Sequence, residues 1–376
     1  MRIAVKLRIL SLLLLVVTAA AAEEARPWTV FYATPLKAAI EPLAQHRRAQ
    51  GYTVELIEAG DGYLEKVKAA KGCVILAGAL DAQGAARADC VLPGGKGVYR
   101  RMEGRASDGI LASDANVVGR LPAGSPEEMA AMVAKILRFE QEGQAADRKI
   151  GCIIGNPIAL EKHLWPVDVF MAFQANSMLV GVNREWKISG AADLCLKPFP
   201  QSDAAFDPAL DQLTAGSWEV LSFFGHSDPM GLYSTGSTYL LQDVWSPPQG
   251  PPRGIFFTCG CHALANQNAY AVRAMRSPSG PAAVIGASAV SYSTIGYLAG
   301  KGLAACAAQP EGPATAGDWW LTIRGAINGA KMSKLVFKVF DTIDGTGGSV
   351  PLEQQREEHL QMWSLLGDPA MRMPVK

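Results

Sequence analysis

Apolar and polar positions follow two alternating periods along this chain, and each change of period marks a change of element. Residues 28–33 (WTVFYA) are an apolar run of strand length. Residues 35–50 carry apolar side chains at helical spacing and stop at Gly51, and residues 52–59 (YTVELIEA) return to a strand pattern. After a short helical stretch, residues 72–80 (GCVILAGAL) make a third strand. Strands separated by helices in this way predict a parallel sheet covered by helices on both faces.

Residues 92–120 break the pattern with glycines and charges. A strong helix start follows: Ser125 as a hydroxyl N-cap, Pro126 at the first helical position and Glu to complete a capping box. Met129, Met132, Val133, Ile136 and Leu137 then form an apolar stripe expected to pack on the core. Polar residues 141–149 separate this half from the next, where RKIGCIIGNP (residues 148–157) restarts the strand pattern with Cys152 expected to be buried. We therefore expect a segment 1–22, an N-terminal α/β subdomain over 23–147 and a second subdomain over 148–376. In the second, residues 160–178 read as helical around a break near Pro166, with His163 as an ordinary helix residue. A short helix is expected over 207–215 and strands over 220–224 and 255–258. A helix over 266–276, a strand within PAAVIGAS (281–288), helices over 318–340 and 352–363, and a closing strand and turn in LLGDPAMRMP (365–374) complete the pattern. His359, set among Glu and Gln, reads as solvated, and Asp368 as a turn or capping residue.

The first 22 residues change the picture of where such a protein works. Arg2, Lys6 and Arg8 precede an apolar run from Ile9 to Val17, and small residues lead to Ala22, as in a secretory signal cleaved after Ala22. The run is too short to span a bilayer comfortably, no Cys sits at the junction for a lipid anchor, and no later apolar run suggests a membrane helix. The expected product is exported, periplasmic or extracellular, with no membrane insertion after cleavage. Its 32 remaining basic residues against 35 acidic ones give a net charge near −3 and no electrostatic case for nucleic acid or an anionic membrane. Seven cysteines, an odd and scattered set, argue against a dense disulfide scaffold and leave at least one thiol unpaired. Cys73 and Cys90 are a candidate bridge.

Reactive side chains concentrate in residues 218–264. WEVLSFFGHSDP ends an apolar run at Gly225-His226, and GIFFTCGCHAL ends another at Cys259. If the two runs are neighbouring parallel strands, their carboxyl ends share one edge, about 5 to 10 Å apart given strand spacing of roughly 4.8 Å. A thiol beside an imidazole suits acyl transfer: sulfur attacks a carbonyl carbon and the imidazole protonates the leaving amine. The bland alternative makes Cys259 a small buried hydrophobe and His226 a loop residue. Cys259, Cys261 and His262, with His226, could also be read as metal ligands. Adjacent Cys261 and His262 would point to opposite faces of an extended strand, which disfavours a tetrahedral site, so no metal is expected.

GHSDP, followed 33 residues after its His by the Cys of IFFTC, resembles the His and Cys blocks of the gingipain-type cysteine peptidases, part of a caspase-like group with caspases, legumain, clostripain and separase. SDGILASDANVVGRLPAGSPEEMAAMVAKILRFE, GPAAVIGASAV and LLGDPAMRMP agree in order, so the resemblance runs from about Trp28 to the C-terminus. It implies a caspase-like α/β/α sandwich with mostly parallel sheets in two subdomains, and an endopeptidase acting on polypeptides through His226 and Cys259. Cys261, preceded by a small residue as in the family's Ala-Cys pattern, is the alternative nucleophile. Backbone N–H groups at Ser227 and Gly260 would serve the oxyanion. Relatives usually carry Gly at the position of Ser227, and a positive φ there would be costly for serine. The loop ASAVSYST would flank the pocket, with Ser288 and Tyr292 as lining groups. Asp108 and Asp114 are acidic candidates near the active-site edge, with solvated turn residues as their plainer reading. No cofactor is implied beyond a structural calcium ion. The functional alternative is an inactive relative that binds peptides or surface partners through the same cleft.

Overall fold

The structure, a computed structural model, describes residues 26–79, 89–90, 105–142, 150–154, 216, 218–233, 238–239, 253–309, 312–344 and 346–374. The expected signal segment, the polar boundary at 143–149, the helical segments 160–178 (with His163) and 207–215, and the side chains of Cys90 and Cys152 lie outside the described residues. In chain order the described strands are β1 (Pro27–Tyr32), β2 (Thr53–Glu58), β3 (Gly72–Ala77), β4 (Asp89–Cys90), β5 (Arg105–Ala106), β6 (Asn116–Leu121), β7 (Ile150–Ile154), β8 (Val220–Phe224), β9 (Leu232–Tyr233), β10 (Thr238–Tyr239), β11 (Ile255–Thr258), β12 (Ala283–Ala287) and β13 (Trp363–Leu366). The helices are α1 (Lys37–Ala49), α2 (Tyr63–Ala69), α3 (Pro126–Glu142), α4 (Tyr270–Arg276), α5 (Ser293–Ala308), α6 (Ala316–Gly329), α7 (Lys334–Ile343) and α8 (Leu352–Met362).

Nine strands form one sheet in the order β2-β1-β3-β6-β13-β12-β11-β8-β7. Neighbours run parallel except at β12–β13, where Val284 faces Leu366 and Ala287 faces Trp363 in an antiparallel pair. β13 is parallel to β6 on its other side. The sheet thus consists of two parallel halves running in opposite directions. The closing strand of the chain joins them: LLGDP, expected to lock the second half, also pairs with the first.

Strand alternation distributes the core. Trp28, Val30, Tyr32, Ile75, Ala77 and Leu121 pack with α1 and α3 through Ile40, Leu43, Met129, Met132 and Ile136. Phe31, Val74, Leu76 and Val118, at the intervening positions, pack with α2 and a 3-10 turn at Asp108–Leu111. Burial on both faces is why these strands read as continuous apolar runs. The Ser125 hydroxyl accepts from the Glu128 N–H as expected, while the Glu128 carboxylate accepts from the Gly124 N–H and pairs with Arg276.

Three elements differ from the sequence pattern. Residues 293–308, unassigned by periodicity, form α5; ten of its residues are buried, so no polar stripe marks it. Its glycines, poor for helix propensity, permit close packing: a Cβ on Gly302 would lie 2.7 Å from the α-carbon of Ile323 on α6. Residues 318–340 are two helices rather than one, because Ala330 after Gly329 is extended and the Ser333 hydroxyl starts α7 by accepting from the Val336 N–H. The helix expected from 266 starts only at Tyr270, whose N–H donates to Pro229 O.

Candidate active site

β8 and β11 are neighbouring parallel strands, with Val220 opposite Ile255 and Phe223 opposite Thr258. Their carboxyl ends therefore share one edge of the sheet, and His226 and the Cys259–His262 turn leave from that edge. In the loop after β8, Asp228 Oδ1 accepts from the N–H groups of Met230 and Gly231, which closes a tight turn against Tyr270 at the start of α4. His226 is half-buried.

The two thiols occupy different positions. Cys259 still belongs to the sheet: its N–H donates to Phe223 O at 2.9 Å, and its sulfur lies 3.8 Å from Gly296 O on α5. It is 7% exposed. Cys261 lies past the strand and is half-buried, and its carbonyl accepts from the Ser227 hydroxyl at 2.7 Å. The residue after His226 is thus bonded to the backbone of Cys261. Burial pushes the Cys261 thiol up to about 11, with the Asp344 carboxylate adding to the effect and a backbone bond at Ser291 opposing it.

The turn itself is tight. Gly260 leaves no room for a side chain, since a Cβ there would overlap Ser227 Oγ and come within 2.9 Å of the Tyr270 hydroxyl. Its N–H, one of the expected oxyanion donors, is given to Thr258 Oγ1 at 3.1 Å. Ser227, the other, is not in the left-handed region; among the described non-glycine residues only His262 is, at φ 57°. The strain expected at Ser227 sits at His262 instead. The His262 and Leu264 N–H groups donate to Ala289 O and Ala287 O, stitching the turn to the end of β12.

Ser288 and Tyr292, in the loop beyond β12, are both taken up by the interior. The Ser288 hydroxyl donates to Met362 O, and the Tyr292 ring packs 5.0 Å from the His359 ring. His359 is a correction to the solvated reading: it is fully buried. Its Nε2 accepts from the Tyr292 N–H and its Nδ1 donates to Gln355 O, and burial pushes the imidazole down to about 3. The polar look of its neighbours hid a histidine that faces inward from α8. Next to it in chain order, the Ser293 N–H and hydroxyl both donate to Asp344, a buried carboxyl that burial pushes up to about 7.

Asp108 is neither a solvated turn residue nor at the reactive edge. It is buried and forms a two-pronged pair with Arg120, at 2.7 and 2.8 Å. Asp114 is exposed in the turn before β6. Asp368 makes the expected turn bond, accepting from the Ala370 N–H, and is also the buried counter-ion of Arg47. Cys73 is a free thiol, so the Cys73–Cys90 bridge is not formed. Among the described residues no three His, Cys, Asp or Glu side chains converge as a metal-binding group. No described helix is long and apolar enough to cross a membrane. Sequence reasoning missed Thr258, Tyr270, Gly296 and Asp344. Thr258 stands inside the IFFTC block with nothing there to mark it as a hydrogen-bonding partner, and the other three lie outside the motifs and reach the site only through the fold.

Solved structures share this architecture. The chain superposes on the Arg-specific cysteine proteinase gingipain R (RgpB) with a TM-score of 0.61 and 14% identity, over 94% of this chain and 79% of that one. The complex of the pro- and mature domains of RgpB from Porphyromonas gingivalis gives 0.63 and 14%, over 93% and 80%. A structure described only as a protease gives 0.62 and 11%, over 93% and 78%. No curated protein matches the sequence. The model of peptidase family C25 matches residues 21–374, nearly the whole chain. With a mostly parallel caspase-like sheet and a family match of this extent, the chain belongs to peptidase family C25 and is a cysteine-type endopeptidase.

Proposed function

We propose that this peptidase is exported and cleaves polypeptides through His226 and a thiol at the end of β11, by way of a thioester. The observation that carries the reading is the bond from the Ser227 hydroxyl to the Cys261 carbonyl, which holds the His loop against the Cys turn at the shared edge. Of the two thiols this placement favours Cys261. Cys259 remains in the strand ladder with its sulfur packed against α5, whereas Cys261 follows the strand end and is more exposed.

With its thiol pushed up to about 11, Cys261 rests as the neutral S–H, so His226 must take the proton as sulfur bonds to the carbonyl carbon. The tetrahedral intermediate collapses with cleavage of the C–N bond. His226 returns its proton to the departing amine and leaves a thioester on Cys261. Water, deprotonated by His226, adds to the thioester; the C–S bond breaks, and sulfur leaves with the proton while the acid is released. The N–H groups of Ser227 and Gly260 are the candidate oxyanion donors, the second only after it leaves Thr258. The reaction as written uses no cofactor. Export is supported by the charged, apolar and small-residue pattern of the first 22 residues.

Hydrolysis of an unfolded protein substrate by single variants tests the reading. Cys261→Ala and His226→Ala should each lose more than about 10³-fold in kcat/KM, as removal of a member of a catalytic unit does, and Cys259→Ala should retain activity. Loss with Cys259→Ala alone would move the nucleophile to Cys259. Full activity in both Cys variants would refute the dyad.

A further inference from the structure

Five polar groups around the Gly260–Cys261 turn form a chain whose direction is fixed by its ends. It starts at the Gly260 N–H, which can only donate, and ends at the Cys261 carbonyl, which can only accept. Between them lie Thr258 Oγ1, 2.8 Å from the Tyr270 hydroxyl, and Ser227 Oγ, 3.4 Å from it. The Ser227 proton goes to Cys261 O, so Ser227 must accept from Tyr270. Tyr270 has then spent its one proton and must accept from Thr258, which accepts in turn from Gly260. Every proton has one place. Burial holds the Tyr270 phenol well above its ordinary range, so it stays a neutral donor, and the ring is fully buried.

We propose that Tyr270 is a positioning residue for the candidate dyad: through Thr258 and Ser227 its hydroxyl fixes the Cys261 backbone against the His226 loop. The proposal rests on the functional reading above. Tyr270 grips the His loop twice, since its N–H also donates to Pro229 O. It reaches the Cys strand through Thr258, so one residue at the start of α4 spans both loops. Buried hydrogen-bond chains of this kind act as a unit, and removing the middle hydroxyl cuts Thr258 off from Ser227 and leaves the Ser227–Cys261 bond without its support.

Tyr270→Phe tests it, because the ring that fills the core is kept and only the hydroxyl is lost. Expected are a fall in kcat of about tenfold with KM within about twofold, and the same fall for Thr258→Val, while Thr258→Ser restores the wild-type kcat. The double variant Tyr270→Phe/Ser227→Ala should be no worse than the worse single, as for members of one network. A second measurement needs no turnover: the rate at which iodoacetamide alkylates Cys261, followed by peptide mass spectrometry, should rise at least about threefold in Tyr270→Phe as the turn loosens. Unchanged kcat or an unchanged alkylation rate in Tyr270→Phe would overturn the proposal. If Cys261→Ala and Cys259→Ala both remained fully active, the dyad reading would fail on its own account, and the alkylation rate would still decide whether Tyr270 sets the turn.

Discussion

The two halves of the sheet treat buried polar groups in opposite ways. In the half built on β1, β2, β3 and β6, buried charges are matched. Arg47 pairs with Glu140 and Asp368 at 2.7 Å each, the Trp28 indole N–H donates to Asp368, and Arg120 pairs with Asp108. Around the carboxyl ends of β8, β11 and β12 the groups are instead hydroxyls, thiols and imidazoles, and the buried carboxyl of Asp344 is bonded to the N–H and hydroxyl of Ser293 rather than to a cation. Matched charges act as fasteners. An unmatched carboxyl titrates near neutrality, and thiols and imidazoles exchange protons during chemistry. On the proposed mechanism, stability and reactivity are segregated on one continuous sheet.

The strongest way to break the contrast is to unmatch a fastener. Asp368→Ala leaves Arg47 with a single carboxylate partner and frees the Trp28 indole, and removing one member of a buried pair costs about 3 to 5 kcal/mol. Urea denaturation should show that loss, while kcat per folded molecule stays unchanged, because Asp368 lies beyond the far end of β13 from the reactive turn.

Asp344 sharpens the contrast from the other side. Its folded value, pushed up to about 7 by burial, lies above the unfolded value of about 3.9, so the fold holds this proton more tightly than the open chain does. The resulting stabilisation is complete below about pH 4 and is lost as pH rises through about 7, up to about 4 kcal/mol in all. The other groups acting on it are the Ser293 hydroxyl and the N–H groups of Ser293 and Thr294, which oppose, and Asp341, whose charge raises it further. Asp344→Asn should flatten that part of the stability–pH curve, measured by denaturation from pH 4 to 8. A slope unchanged by the substitution would place the titration elsewhere.

Gly260→Ala gives the smallest effect on stability and tests the tightness of the turn. The added methyl meets Ser227 Oγ and the Tyr270 hydroxyl, and overpacking of this kind costs about 1 to 3 kcal/mol. Activity should fall with it, and Ser227→Gly in the same chain should recover part of the stability but not the activity, because it also removes the hydroxyl bonded to Cys261 O. No recovery would mean that the turn is crowded by something other than Ser227.

How much of this could be read from the sequence depended on how local the cause was. β8 and β11 are buried on both faces, so VLSFF and IFFT stand out as apolar runs, and their parallel pairing brought His226 and the two cysteines to one edge as expected. The mostly parallel sheet covered by helices was legible for the same reason, while its caspase-like character followed from the resemblance carried by GHSDP, IFFTC and LLGDP. The reversal of direction between the halves was not, because it depends on where β13 inserts, which a four-residue strand at the end of the chain does not declare. α5 escaped notice because a helix buried on nearly every side has no amphipathic pattern. His359 looked solvated among Glu and Gln, yet α8 turns Gln355, Glu358 and His359 inward. The hydroxyl chain needs residues 227, 258 and 270 at once, each ordinary by itself.

Acid-quenched turnover of a mixed peptide library, with the modified cysteine located by peptide mapping, tests the central claim most directly. The account predicts an acyl group on Cys261 in the wild-type protein and none in His226→Ala. Continued hydrolysis with no acyl group on either Cys261 or Cys259 would contradict it.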